Sequence, residues 1–290
     1  MSWRLALALC VAGCAPAATS TKLEVIATVY PIQEFARWVG GDRVRVALLI
    51  PPGVEAHSWE PTPQDVMGLR QARLFLYNGA GLEPWVTRLL NDTLAPPLRV
   101  VEVTRGMDLI QKNGRPDPHV WLDPLLAAQE VETIKDALTQ VDPQGASLYD
   151  ANARTARSRL EALDQRLRER LASCQRRELV VSHDAFGYVA KRYGLTLITL
   201  AGLTPEVEPS PTQLAQVVKT ARRANARTVF VESLVSPRLA ETLAREVGAE
   251  VRVLNPIEGL TKQEARDRKD YWRLMEANLD ALQVGLGCQA

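Results

Sequence analysis

The feature that most constrains the fold of this chain is a regular alternation of short apolar segments with amphipathic ones, which occurs twice. Strand and helix signals alternate from residue 23 to residue 103, and again from residue 178 to residue 254. Such alternation is typical of parallel sheets whose two faces are covered by helices. The sequence therefore predicts an α/β protein with two lobes, each built around a parallel sheet.

Between these two halves lies a long segment with helical signals almost throughout, residues 144–174. Its leucines at 160, 163, 167 and 171 fall on one stripe, with charged residues elsewhere. About 28 helical residues extend roughly 40 Å, which is the width of a domain. A surface helix or a coiled-coil arm is the alternative, but the position favours a rigid strut. We predict an N-terminal lobe at 23–143, a linking helix at 144–174 and a C-terminal lobe at 175–290.

The N-terminus has the pattern of a bacterial export signal. Arg4 precedes a short apolar run that ends in small residues and Cys14. This pattern resembles a lipobox, which predicts a signal peptide at 1–13, lipidation of Cys14 and a tether at 14–22. The alternative is an ordinary signal peptide cleaved near Ala18. Either way we expect an extracytoplasmic protein, either periplasmic or on the outer face of the cytoplasmic membrane, and no later apolar run approaches the ~20 residues of a membrane helix.

Charge and cysteine content narrow the class further. The 35 basic and 34 acidic residues are mixed along the chain, without the basic block that indicates nucleic-acid binding. We expect a monomer.

Cys174 and Cys288 remain as a pair after export, and an oxidising compartment favours a disulfide between them. The alternative is two small buried apolar side chains.

The chain has three histidines, and each lies in a loop-like motif flanked by Pro, Gly or Asp: His57, His119 and His183. Any one of them alone would more often be a core or turn residue than a ligand. Together they suit a site for a borderline-soft divalent metal. Spacings of 62 and 64 residues are too wide for a zinc finger, so the fold itself must bring them together. His57, His183 and Asn255 follow predicted strands, where α/β proteins bind ligands.

Five segments resemble the metal-binding solute-binding proteins of bacterial ABC importers for zinc and manganese. They are residues 52–63, 118–124, 182–188, Glu208–Ser210 and 253–260. The resemblance runs from about residue 23 to the C-terminus. It implies two α/β lobes, a long connecting helix and one ion held between the lobes. It also implies delivery of that ion to a membrane permease driven by a separate ATPase.

The resemblance places the first three ligands on His57, His119 and His183. Members with histidine in the third position resemble zinc binders, and a carboxylate there goes with manganese, so Zn(II) is the expected cargo and manganese the alternative. The family usually has aspartate where this chain has Asn255. The fourth position is therefore open between Asn255, Glu232, Glu258 and water. If Asn255 faces the ion, an Asn255→Asp change is expected to tighten zinc binding. Solvation and loop capping are the alternative roles of the two glutamates.

Two other classes of protein fit parts of the pattern. Three histidines plus water also form a catalytic zinc site, so a zinc-dependent hydrolase is an alternative, although no general-base motif such as His-Glu-x-x-His occurs. A metal-independent adhesin or scaffold lipoprotein is the third class. The residues that flank the histidines either orient them or cap turns. They are Trp59, Glu60, Asp123 and Asp184.

Overall fold

The computed structural model describes residues 22–92, 97–205 and 209–289. The predicted signal peptide, Cys14 and all but the last residue of the predicted tether lie outside this part of the chain, and so does Glu208. Within it, none of the helices has both the length and the apolar character needed to cross a bilayer.

The N-terminal lobe is a four-stranded parallel sheet in the order β2-β1-β3-β4, with helices between the strands. Its elements are β1 (Leu23–Ala27), α1 (Tyr30–Gly40), β2 (Val44–Leu48), α2 (Pro63–Leu69), β3 (Leu74–Tyr77), α3 (Pro84–Asp92) and β4 (Arg99–Glu102). A two-stranded hairpin follows, made of β5 (Gln111–Lys112) and β6 (Arg115–Pro116). Helix α4 (Pro124–Val141) completes the lobe.

The C-terminal lobe repeats this plan with a parallel sheet in the order β10-β9-β7-β8. Its elements are β7 (Glu178–Val181), α6 (Gly187–Tyr193), β8 (Thr196–Thr199), α7 (Pro211–Arg223), β9 (Thr228–Val231), α8 (Arg238–Val247), β10 (Glu250–Val253), α9 (Lys262–Arg266) and α10 (Tyr271–Leu286). All four residues of β9 are buried. This explains why three of its four residues are apolar in succession (229–231), because an internal parallel strand is covered on both faces.

The long helix α5 (Ala146–Ala172) lies between the two lobes in sequence. Its buried stripe includes Tyr149, Leu160 and Leu171, and it packs on α4 and α1 in one lobe and on α6 and α10 in the other. Just past its end, Cys174 forms a disulfide with Cys288, which follows α10. The two-lobe α/β fold predicted from the sequence is confirmed.

Local capping signals account for where several helices begin. Asp123 accepts hydrogen bonds from the backbone N–H groups of Leu125 and Leu126, and Pro124 occupies the first turn of α4. Thr62 and Asp65 form a reciprocal capping box at the start of α2. The cap formed by Asp123 begins α4 directly after the segment that carries His119.

A short hairpin that the alternation of strand and helix signals does not indicate lies before His119. Residues 111–116 form the β5–β6 hairpin, and its turn residues Asn113 and Gly114 both have positive φ, at 52° and 77°. An Asn-Gly pair with two positive φ values favours a tight two-residue hairpin turn. The sequence carried this signal, but the strands are too short to show an alternating pattern.

Candidate metal site

Four side chains, two from each lobe, converge on one point between the lobes. The Nε2 atoms of His57 and His183 lie 3.2 Å and 3.3 Å from Nε2 of His119. Oε1 of Glu258 lies 3.1 Å from Nε2 of His119 and 3.4 Å from Nε2 of each of the other two histidines. All four of these atoms lie within 4.8 Å of one another. Three imidazole nitrogens and one carboxylate oxygen therefore surround a common centre.

These separations suit a small tetrahedral cation. Zinc bound at about 2.0–2.1 Å by four nitrogen or oxygen atoms requires those atoms to be about 3.3 Å apart. The five separations given above run from 3.1 to 3.4 Å. Three imidazoles with one carboxylate are also a donor set that suits zinc better than manganese, which prefers oxygen ligands.

Each ligand candidate follows or precedes a regular element that fixes its backbone. His183 comes two residues after β7, and His119 directly precedes the single helical turn Val120–Leu122 that leads into α4. His57 and Glu258 lie in the loops that follow β2 and β10. Three of the four thus follow parallel strands, where α/β sheets bind ligands. Because each lobe contributes two side chains, separating the lobes would separate the ligands.

The site is closed to solvent. The side chains of His119 and His183 have no exposed surface, and those of Glu258 and His57 are 3% and 7% exposed. In such surroundings electrostatic interactions are stronger than in water. A bound divalent cation would therefore interact strongly with every carboxylate near it.

Two further carboxylates orient the buried histidines. Oδ1 of Asp117 accepts hydrogen bonds from both the backbone N–H and ring Nδ1 of His119, at 3.0 Å and 2.8 Å. In the other lobe, Oε1 of Glu232 accepts from the same two groups of His183, at 3.2 Å and 2.6 Å. A carboxylate on Nδ1 holds the proton there, which leaves Nε2 free to bind a metal and makes it more basic.

The acid–base properties of the cluster reflect these contacts. Burial alone would lower the pKa of His183, but Glu232 and Glu258 outweigh it and raise the pKa to about 10. Burial also opposes the shift at His119, where Asp117 and Glu258 raise the pKa. Burial would raise the pKa of Glu258, but the three imidazoles hold it well below its usual range. Protons therefore compete with a cation for this site.

A comparison with known protein families finds one whose profile covers most of the chain. The profile of the family described as "Zinc-uptake complex component A periplasmic" matches residues 25–285, which include all four converging side chains. The chain belongs to this family. The resemblance inferred from the sequence motifs is therefore confirmed.

Individual relatives of this family member align over most of its length. The high-affinity zinc uptake system protein ZnuA of Bacillus subtilis is 36% identical over 91% of this chain and 88% of its own. The zinc-binding lipoprotein AdcA of Streptococcus pneumoniae is 34% identical over 90% of this chain but only 55% of its own. The chain thus spans about half the length of AdcA. The crystal structure of the Zn(II)-bound ZnuA-like domain of that protein superposes with a TM-score of 0.82 at 34% identity, covering 92% of this chain and 99% of that one.

Of the three residues considered for the last ligand position, only Glu258 lies in the cluster. Asn255 faces elsewhere: its Oδ1 accepts the backbone N–H of Ile257 at 2.8 Å, and its Nδ2 donates to Glu264 Oε1 at 3.2 Å. The condition for tighter binding in Asn255→Asp, a side chain that faces the ion, is therefore not met. Glu232 contacts Nδ1 of His183 and is not one of the four residues whose ligand atoms converge.

The acids and the tryptophan that flank the histidines in sequence have other partners in this family member. Asp123 caps α4 and pairs with Arg192, and Asp184 pairs with Lys112 of the hairpin. Glu60 forms an exposed ion pair with Arg88. Trp59 packs edge-on against Trp85.

Sequence reasoning did not assign a role to Asp117, although it lies only two residues before His119. Its buried carboxylate has one oxygen on the histidine and no exposed surface. The sequence did contain a signal for this role, because Asp117 is an acid two residues before a candidate ligand. Glu232 and His183 are 49 residues apart in sequence. Their contact follows from the pairing of β7 with β9, which the sequence alone does not reveal.

Proposed function

We propose that this chain captures Zn(II) outside the cytoplasm and delivers it to the permease of an ABC importer. In this role His57, His119, His183 and Glu258 bind the ion directly, and the lobes hold it between them. The observation that carries the proposal is the convergence of three imidazoles and one carboxylate at tetrahedral spacing in a buried interlobe site. Membership of a zinc-uptake family supports it independently.

The charge around the site favours retention of a divalent cation. Glu258 contributes one negative charge within the cluster itself. Asp117 and Glu232 contribute two more, at Nδ1 of His119 and of His183. Together these three carboxylates offset the double charge of zinc, which three neutral imidazoles alone would leave uncompensated in a buried site. This arrangement favours binding and storage of the ion over solvent exchange.

The same observations weigh against the alternatives. A catalytic zinc site keeps one coordination position open for water, whereas we propose that Glu258 takes the fourth position in a site that is almost fully buried. We therefore propose a binding protein and not a hydrolase. Manganese remains the second candidate cargo. It is disfavoured because it prefers oxygen ligands and only one of the four proposed ligand atoms is an oxygen.

Anchoring and organisation complete the proposal. We propose cleavage after residue 13, lipidation of Cys14 and a tether that holds a monomer near its permease. The name of AdcA as a lipoprotein supports this location. We further propose that residues 23–143 and 175–290 act as the two lobes and that residues 144–174 act as the strut between them.

A direct binding experiment tests the proposed ligands. Each histidine and Glu258 is replaced singly by alanine, and zinc affinity is measured by competition with a chelator of known affinity. Each replacement should weaken binding by at least tenfold, and manganese should not displace zinc at equal concentration. Any variant that keeps full affinity removes its residue from the ligand set. Zinc uptake by cells that carry His183→Ala in place of the native chain tests delivery, and uptake should fall in low zinc.

A further inference from the structure

The residue directly before Glu258 has an unusual backbone conformation. Ile257 has a φ of +59°, in the left-handed region, although it is β-branched and fully buried. Such a conformation is rare for a β-branched residue, and it persists only where surrounding contacts impose it. Because a residue's backbone angles set the direction of the next side chain, this conformation determines where the Glu258 carboxylate points.

Two asparagines impose the conformation from the C-terminal lobe. Oδ1 of Asn255 accepts the backbone N–H of Ile257 at 2.8 Å, which closes a tight turn over the intervening proline. Asn278, on α10, binds Asn255 at both ends of its backbone. Its Oδ1 accepts the Asn255 N–H at 2.8 Å, and its Nδ2 donates to the Asn255 carbonyl at 2.7 Å. Both asparagines are buried, at 6% and 7% exposure.

The N-terminal lobe holds the other side of the same loop. Trp121 lies two residues after His119 in sequence, and its Nε1 donates to the carbonyl of Pro256 at 2.7 Å. The backbone N–H of Tyr30 donates to the carbonyl of Glu258 at 3.2 Å. The loop that carries Glu258 is therefore fixed between the lobes, and the asparagines supply its contacts on the C-terminal side.

We propose that Asn255 and Asn278 are positioning residues for zinc capture, which hold the left-handed turn at Ile257 and so direct the Glu258 carboxylate at the three imidazoles. Neither residue touches the ion. Their role depends on the proposed function above, in which Glu258 is the fourth ligand.

The partners of Asn255 explain why an amide is required at that position. Its oxygen faces an N–H donor, and its nitrogen faces the carboxylate of Glu264 at 3.2 Å. Aspartate would keep the first contact but would place a second carboxylate against Glu264, which is unfavourable in a part-buried site. Asn255→Asp is therefore expected to weaken zinc binding, and Glu264→Gln in the same chain should restore much of it.

A double-mutant cycle separates positioning from general stability. Zinc affinity is measured by chelator competition for Asn255→Ala and Asn278→Ala, each alone and combined with Glu258→Ala. Each single asparagine variant should lose roughly 10- to 100-fold in affinity, as expected for residues that orient a ligand. In the Glu258→Ala background the same changes should alter affinity by less than about twofold, because the coupled pair is already broken. The matched control is Asn152→Ala, which removes one hydrogen bond from α5 to the backbone carbonyl of Val39 on α1 and should leave affinity unchanged.

The Co(II)-loaded protein gives a second readout. The visible spectrum of Asn255→Ala should approach that of Glu258→Ala, since both lose the same oxygen from the coordination sphere. Equal losses of zinc affinity in both backgrounds, or no loss in either asparagine variant, would overturn the positioning role while leaving the ligand assignment intact. Full zinc affinity in Glu258→Ala would instead remove Glu258 from the ligand set, and the positioning role with it.

Discussion

Replacing Glu232 by glutamine tests whether the acids behind the histidines contribute to metal binding. The change keeps the size of the side chain and one oxygen acceptor but removes its charge. In the structure one Glu232 oxygen accepts two hydrogen bonds from His183. A hydrogen bond to a charged group is worth about 1 kcal/mol more than a neutral one, so two such bonds predict a loss of roughly 2 kcal/mol. That loss is about 30-fold in zinc affinity, within the range for partners of metal-bound histidines.

The assay is chelator competition at fixed pH, with the thermal stability of the metal-free variant measured alongside. The control is Glu34→Gln, a buried acid on α1 that pairs with Arg37, and it should leave zinc affinity unchanged. Asp117→Asn should behave like Glu232→Gln, because Asp117 makes the same pair of contacts with His119. A Glu232→Gln protein that binds zinc within twofold of the wild type would refute the reasoning.

Three further changes test the fold around the site. Glu130 is fully buried, and both its oxygens lack a hydrogen-bond partner among the described residues, so Glu130→Met should raise the free energy of unfolding by about 1–3 kcal/mol in urea titrations at pH 7. Burial raises the pKa of Glu83 from 4.5 to about 7. The folded state therefore keeps a proton that the unfolded state loses, and Glu83 contributes a fall in stability on the order of 3 kcal/mol as pH rises from about 4.5 to 7; Glu83→Gln should remove that component of the slope. Replacing Cys174 and Cys288 together by serine should cost at most about 4–5 kcal/mol of stability for the 114-residue separation, and zinc affinity should stay unchanged.

The sequence was sufficient for the fold because its signals are local and repeated. Runs such as Leu74–Tyr77 and Thr228–Val231 lie in the two segments where strand and helix signals alternate, and both are strands in the structure. The helical stripe of residues 144–174 likewise required no tertiary information. In contrast, the β5–β6 hairpin depends on a two-residue turn and has too few residues for periodicity.

The site was harder to predict because loop side-chain directions depend on contacts distant in sequence. The three histidines could be named because they are the only ones and lie in distinctive motifs. The choice between Asn255 and Glu258, three residues apart, depends on a left-handed residue between them and on a partner 23 residues away in α10. Neither is visible in a single sequence. The role of Glu232 depends on which strands are neighbours in the sheet.

X-ray absorption at the zinc edge, together with the metal content of the purified protein, tests the central claim most directly. The account predicts one zinc per chain with four nitrogen or oxygen neighbours at about 2.0–2.1 Å and the scattering signature of three imidazoles. In Glu258→Ala the three imidazoles should remain while the fourth neighbour changes. A stoichiometry other than one, fewer than three imidazoles, or a six-coordinate oxygen-rich environment would contradict the account.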